Sequence, residues 1–183
     1  MACDATLGRL EPCKDSVGGL KSIYFVNYAA TALSGATLDT DGIVTAFGTP
    51  LTLYKYDLKG TNSFDEANEN SRENGTSFWT QTGTIVLKKQ DAVTQKELRL
   101  ISYGRPIIFV EDYNGNYRIA GFENGCEVAV SSASGAGMGD LNGYNLTFTG
   151  QEKNLATFVT ASIINDTTNT VVVVGTLLLY LLF

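Results

Sequence analysis

The sequence feature that most restricts the fold is the pair Asn114-Gly115, which separates two apolar runs. The run PIIFVEDY precedes the pair and NYRIAGFE follows it. Asn-Gly tolerates the positive φ angles of a type I′ turn, whose twist matches that of two paired strands. The sequence therefore predicts a β-hairpin with a type I′ turn at Asn114-Gly115.

Other segments also have the composition of strands. They are rich in β-branched and aromatic residues and are bounded by Gly, Pro or Asn; they span residues 20–28, 42–47, 51–56, 78–87, 127–130 and 144–149. One segment favours a helix, near 91–103, with Asp91 as N-cap and an apolar stripe that includes Val93, Leu98 and Leu100. We expect one mostly-β domain over residues 1–183, in which antiparallel sheets form a sandwich or barrel with one helix.

Residues 57–75 differ in character from the rest. They are mainly Asn, Ser, Asp, Glu and Gly, and Phe64 is their only large apolar residue. A polar connection of this length is unusual within a compact domain. Two interpretations are open: a mobile surface loop, or an arm that orders only against a neighbouring subunit with Phe64 as its anchor.

The segment 171–183, VVVVGTLLLYLLF, is uniformly apolar. It is shorter than the roughly 20 residues of a membrane-spanning helix, so no membrane anchor is expected. Its valines and Gly175 favour a strand, buried in the core of its own subunit or donated to an adjacent one.

Composition argues against catalysis. The chain has no histidine, which removes the most common general base and the usual metal ligand. Cys3, Cys13 and Cys126 lack the spacing of a zinc site and are expected to be small buried thiols, with a Cys3–Cys13 pair as the alternative. The carboxylates Glu111 and Asp112 beside the hairpin turn are expected to be solvated. We predict a protein that is not an enzyme and that binds no cofactor or metal.

The charge and the aromatic content of the chain indicate which partners it binds. The net charge of −6 disfavours binding to nucleic acid. Only 17% of residues are charged while 10% are aromatic, a balance typical of surfaces that are covered by other subunits. We therefore expect the chain to associate with copies of itself.

Several short segments resemble tail-associated structural proteins of tailed bacteriophages, the tail tube proteins in particular. They are VEDYNGNYR at 110–118, GFENG at 121–125, GDLNGY at 139–144 and GQE at 150–152. The order of strand, polar arm, strand and helix before them is similar to the same family. The resemblance covers roughly residues 20–159.

The resemblance implies a virion protein, made in the bacterial host cytoplasm, that forms hexameric rings. Such rings stack into a tail tube whose acidic lumen conducts DNA without binding it, and they contact other tail or connector proteins. Residues expected at subunit interfaces lie in the arm, the following strand and the C-terminal segment: Lys59, Phe64, Phe78, Trp79, Val171, Val173, Leu177, Leu179 and Leu181. The alternatives are a head–tail connector, a capsid decoration or fibre-base protein, and a carbohydrate-binding β-sandwich that uses Trp79, Tyr113 and Tyr117.

Overall fold

The computed structural model describes residues 5, 7–29, 32–166 and 168–173 of the chain. In these residues the chain forms twelve strands and two helices. In chain order they are β1 (Leu20–Val26), β2 (Thr37–Leu38), β3 (Val44–Ala46), β4 (Thr52–Asp57), β5 (Ser63–Ser71), β6 (Thr76–Lys88), α1 (Ala92–Tyr103), β7 (Ile107–Asp112), β8 (Tyr117–Ala120), β9 (Cys126–Ala133), β10 (Gly143–Glu152), β11 (Thr157–Val159), α2 (Ala161–Ile164) and β12 (Thr170–Val172). The predicted mostly-β fold with a helix near 91–103 is confirmed.

The strands form two sheets. The larger sheet has the order β12-β4-β1-β7-β8-β11-β3-β2, and the smaller has the order β5-β6-β10-β9. Every pair in the smaller sheet is antiparallel. The larger sheet is mixed, since β11 pairs parallel with β3 and β12 parallel with β4. The sequence did not indicate these two parallel pairs, because short strands can return to a sheet by crossover connections that leave no local signal.

Two apolar cores lie on opposite faces of the larger sheet. The first lies between the two sheets and contacts α1; it contains Phe25, Ile108, Ile85, Phe148 and Leu98. The second lies on the far face, where α2 and the segment after β1 cover it; it contains Phe109, Leu53 and Ile163. Because both of its faces are covered, β7 is an almost continuous apolar run.

The predicted hairpin is present, but its turn is of another type. Strands β7 and β8 pair antiparallel, with Glu111 opposite Tyr117. Only Gly115 has a positive φ, whereas a type I′ turn requires it at both central residues. The Gly115 N–H donates to the Asp112 carbonyl, and the Asp112 N–H donates to the Asn116 carbonyl. This is a type I turn followed by a bulge, and the Asp112 carboxylate stabilises it by accepting the backbone N–H groups of Asn114 and Asn116.

Glu111, beside this turn, is not solvated, contrary to the sequence interpretation. It is buried at 3% exposure. Its carboxylate accepts hydrogen bonds from Ser22 and Tyr24 on β1 and forms a 2.6 Å ion pair with Lys21. Burial raises the pKa of Glu111, but the hydrogen bonds from Lys21 and Ser22 and the positive charge of Lys21 outweigh it, so the pKa lies below its ordinary value. The network ties the hairpin to β1.

Helix α1 begins and ends as predicted, yet it buries a narrower face than its pattern suggested. The Asp91 side chain accepts the Thr94 N–H at the N-terminus, and Gly104 follows the last turn. Leu98 is the only buried residue of the helix. Val93 and Leu100 are 56% and 52% exposed. No helix among the described residues is long and apolar enough to cross a membrane.

Candidate functional site: a four-stranded sheet with two open edges

The polar segment 57–75 is mostly a strand rather than a loop. Nine residues of β5 pair antiparallel with β6, from Ser63 opposite Thr84 to Ser71 opposite Thr76. The prediction of a mobile loop, or of an arm that orders only against a neighbour, was wrong. Pairing along the edge of a sheet, with one face packed, overrides the weak strand propensity of Asn, Asp and Ser.

The start of β5 is fixed to its own subunit. The Asn62 side chain is buried and accepts the Val86 N–H at 2.8 Å. The Phe64 ring stacks on Phe148 with centroids 6.0 Å apart, and the Arg118 guanidinium lies 5.0 Å from the Phe64 ring. Phe64 is therefore an internal packing residue of its own subunit and not the anchor of a free arm.

Only the far end of the β5–β6 hairpin projects from the sheet. Strand β10 ends at Glu152, which lies opposite Trp79, whereas β5 and β6 continue to pair through Glu69–Phe78, Asn70–Ser77 and Ser71–Thr76. We call residues 70–77 the hairpin tip. Almost all of its side chains are exposed, and nothing in the described part of the chain packs beside it in the sheet.

One face of the four-stranded sheet packs on the core, and the opposite face is exposed and polar. Along β10 the burial alternates strictly between Leu146, Phe148 and Gly150, which are buried, and Thr147, Thr149 and Gln151, which are exposed. We call the exposed side the polar face. Its rows across the strands are Ser63, Thr84, Thr147 and Ala129; Asp65, Thr82, Thr149 and Glu127; Ala67, Thr80 and Gln151; and Val86, Asn145 and Ser131.

The polar face has an unusual charge distribution. Within these rows Asp65 on β5 and Glu127 on β9 are the only charged residues, and both carry negative charge. The two central strands contribute mainly threonine. No lysine or arginine occurs in these four rows, and the exposed Lys88, opposite Gly143, follows them only at one end of the face.

Both edges of this sheet lack a neighbouring strand in the part of the chain that the structure describes, although the Cys126 N–H at the start of β9 donates to the Pro106 carbonyl. Strand β5 pairs only with β6, and β9 pairs only with β10. An unpaired edge presents a row of backbone N–H and C=O groups, which natural proteins cover, bend or charge to prevent association. The exposed side chains along β9 are Glu127, Ala129, Ser131 and Ser132, with a single charge among them.

The predicted interface residues fall into three groups. Phe64, Phe78 and Trp79 lie together in the β5–β6 hairpin and are half-buried, and Lys59 is exposed just before β5. Val171 and Val173 are exposed at the edge of the other sheet, at 38% and 39%. Leu177, Leu179 and Leu181, like most of the predicted strand 171–183, lie outside the described residues.

The polar face and the two open edges were not identified from the sequence. The alternation of TQTGT in β6 and NLTFTG in β10 was the available signal. It marked half-buried strands, but it did not show that their exposed residues share one surface, because the pairing of β6 with β10 joins residues about sixty positions apart.

The remaining candidates are separate from this surface. Cys126 is buried as predicted, whereas Cys13 is an exposed free thiol and Cys3 lies outside the described residues. Tyr117 is 9% exposed, so the proposed sugar-binding set of Trp79, Tyr113 and Tyr117 does not share an open surface. No cluster of three or more metal-ligating side chains occurs among the described residues.

No protein-family model matches the chain, and no curated protein or solved structure was found to be similar to it.

Proposed function

We propose that this chain is a structural subunit that assembles head to tail into closed rings, in which the four-stranded sheets of neighbouring subunits join edge to edge. The observation that carries the proposal is the antiparallel order β5-β6-β10-β9 with two open edges. The resemblance to tail tube proteins of tailed bacteriophages gives the proposal its biological setting: stacked hexameric rings that form a virion tail tube.

The number of strands favours this arrangement. Because the sheet has four strands that alternate in direction, β9 of one subunit and β5 of the next run antiparallel when all subunits are related by rotation about one axis. The joined sheets then form one continuous antiparallel barrel, which has no remaining edge. An odd number of strands would place a parallel pair at every junction.

A barrel of this kind would have a lumen wide enough for a DNA duplex. Six subunits would contribute 24 strands (6 × 4). With about 4.8 Å between strands and a tilt of about 40°, the backbone diameter is about 48 Å. Side chains reduce the opening to roughly 35–40 Å, which is still wider than a DNA duplex.

The polar face is the surface suited to this lumen. The opposite face is buried against α1 and the larger sheet, so only the polar face is free to line a channel. Its threonines are neutral, and Asp65 and Glu127 repel phosphate. A DNA molecule passing along such a surface would slide without binding.

The hairpin tip is the element suited to stacking of rings. It projects from one end of the sheet and carries Arg72 and Glu73 next to Glu69. The opposite end carries Lys59, Lys88 and Lys89, which are all exposed. When two rings stack in the same orientation, the acidic side chains near the tip approach these lysines, and oppositely charged patches of this kind set the register of a contact.

A different virion role, as a decoration or connector protein, is the second candidate. The Gly-rich loop between β9 and β10 favours it, because Met138 in that loop is fully exposed. A decoration protein would bind another protein through such a loop and would leave the edges of its sheet unpaired.

The proposal is tested by chemical cross-linking of the sheet edges. Ala67 on β5 and Ala129 on β9 are exposed on the polar face, and each is replaced by cysteine in a background where Cys3 and Cys13 are serine. Two such cysteines in one subunit lie three strand spacings apart (about 14 Å) and four residues apart along the strands (about 13 Å). They are therefore about 19 Å apart, and a shorter bis-maleimide joins them only between subunits.

We expect the double variant to give a ladder of covalent oligomers that stops at the number of subunits in the ring. The single variants Ala67→Cys and Ala129→Cys are matched controls and should remain monomeric on denaturing gels. A dimer from either single variant would show a two-fold contact instead of a head-to-tail one, and no ladder from the double variant would refute edge-to-edge assembly.

A further inference from the structure

A second exposed surface lies beside helix α1. A groove of about 700 Å³ separates α1 from the edge of the larger sheet formed by β4 and β12. One wall consists of Val93, Leu100 and Ile101 of α1, and the other includes Tyr54, Tyr56 and Val173. The exposed side chains of Val93 and Leu100 thus lie in one groove, whereas Tyr103 at the end of α1 does not line it.

The chain itself leads into this groove. Strand β12 pairs parallel with β4, and its last pair joins Val172 to Tyr54. Strand β4 ends at Asp57, so its pairing could continue for only about three more residues. Val173, the last described residue, already lines the groove.

The residues that follow Val173 are mainly apolar, as are the two walls of the groove. Residues 174–183, VGTLLLYLLF, contain no charged side chain. A ten-residue segment reaches at most about 33 Å when extended, so it can traverse the groove from Val173. Because the segment is tethered at the groove wall, its effective concentration there is far above that of a segment from another molecule.

We propose that the groove between α1 and β4 is the binding site for residues 174–183 of the same chain. Binding covers the exposed faces of Val93 and Leu100 and places the leucines out of water. The inference does not depend on ring formation: it predicts an intramolecular contact, whether the protein is a monomer or a subunit.

The experiment is disulfide trapping in the full-length chain, with Cys3 and Cys13 replaced by serine. Leu100→Cys places a thiol in the groove, and Leu179→Cys places one in the segment. Gln95→Cys is the matched control, since Gln95 is also exposed on α1 but lines a different hollow, on the β9 side of the helix. Mild oxidation is followed by non-reducing electrophoresis and peptide mass mapping.

We expect the double variant Leu100→Cys/Leu179→Cys to form its disulfide within one chain at least about tenfold faster than Gln95→Cys/Leu179→Cys, because only the thiols of the former share the groove. Equal rates, or disulfides that join two chains, would overturn the proposal. Val93→Cys provides a second groove position if Leu100→Cys folds poorly.

A second readout uses the single variant Leu179→Cys. Its rate of alkylation by a water-soluble maleimide should rise several-fold when Val93 and Leu100 are both replaced by lysine. An unchanged rate would show that the segment lies elsewhere.

Discussion

Replacement of Phe64 by alanine distinguishes an internal packing residue from a subunit anchor. The Phe64 ring is half-buried between Phe148 and the Arg118 guanidinium. Truncation of a fully buried phenylalanine costs about 3–5 kcal/mol. Half burial reduces this to about 2 kcal/mol, and the lost ring pair and cation–π contact add roughly 0.5–1 kcal/mol. We therefore expect Phe64→Ala to lower the free energy of unfolding by about 2–3 kcal/mol.

The measurement is thermal unfolding by circular dichroism at a concentration where the protein is monomeric. For a chain of this size, about 1 kcal/mol shifts the melting temperature by roughly 2–4 °C, so a decrease of about 5–10 °C is expected. Phe158→Ala is the matched control, because Phe158 is 48% exposed at an edge of the core, and it should cost about 1 kcal/mol or less.

The competing interpretation of Phe64 makes a different prediction for Phe64→Ala. If Phe64 were the anchor of an arm that orders only against a neighbour, Phe64→Ala would leave the melting temperature of the monomer unchanged and would weaken only assembly. That result would refute the packing described for β5.

Three further predictions concern stability and assembly. Gly83→Ala should destabilise the fold by about 3 kcal/mol, because a Cβ at Gly83 would lie 2.1 Å from the Phe148 ring, whereas Gly139→Ala, in open space, should be neutral in the same denaturant titration. Glu111→Gln should lower the free energy of unfolding by about 2 kcal/mol at pH 7. Because folding lowers the pKa of Glu111, its stabilisation is present above the unfolded pKa of about 4.3 and is lost as the pH falls through the folded pKa. The wild type and the variant should therefore converge in stability in acid. Replacement of the hairpin tip 70–77 by Asn-Gly should preserve the melting temperature and any rings but abolish stacked tubes in electron micrographs, and unchanged tubes would contradict the role of the tip.

The elements that were predicted from the sequence are those whose signals are local. The β7–β8 hairpin depends on Asn114-Gly115 and its apolar flanks, and α1 depends on the Asp91 cap and a run of helix formers. The predictions that were wrong, the turn type and the solvation of Glu111, depend on contacts with other residues. The turn type was decided by the Asp112 carboxylate and its neighbours, and the burial of Glu111 depended on Ser22 and Tyr24, about ninety residues earlier.

The candidate site was harder to predict for the same reason. The strand β5 has the composition of a loop, and it is ordered by nine pairs with β6 and by the contact of Phe64 with Phe148. The polar face emerges only when β5, β6, β10 and β9 are placed side by side. A sequence pattern shows which residues of one strand share a face, but it does not show which strands are neighbours.

The central claim is that the open edges β5 and β9 join in a closed ring, and electron microscopy of the concentrated protein, combined with its native mass, tests it most directly. The account predicts rings, or tubes of stacked rings, with a central channel roughly 35–40 Å wide and a mass that is a fixed multiple of the 19.7 kDa subunit. A protein that stays monomeric at every concentration, or a two-fold dimer without a channel, would contradict it.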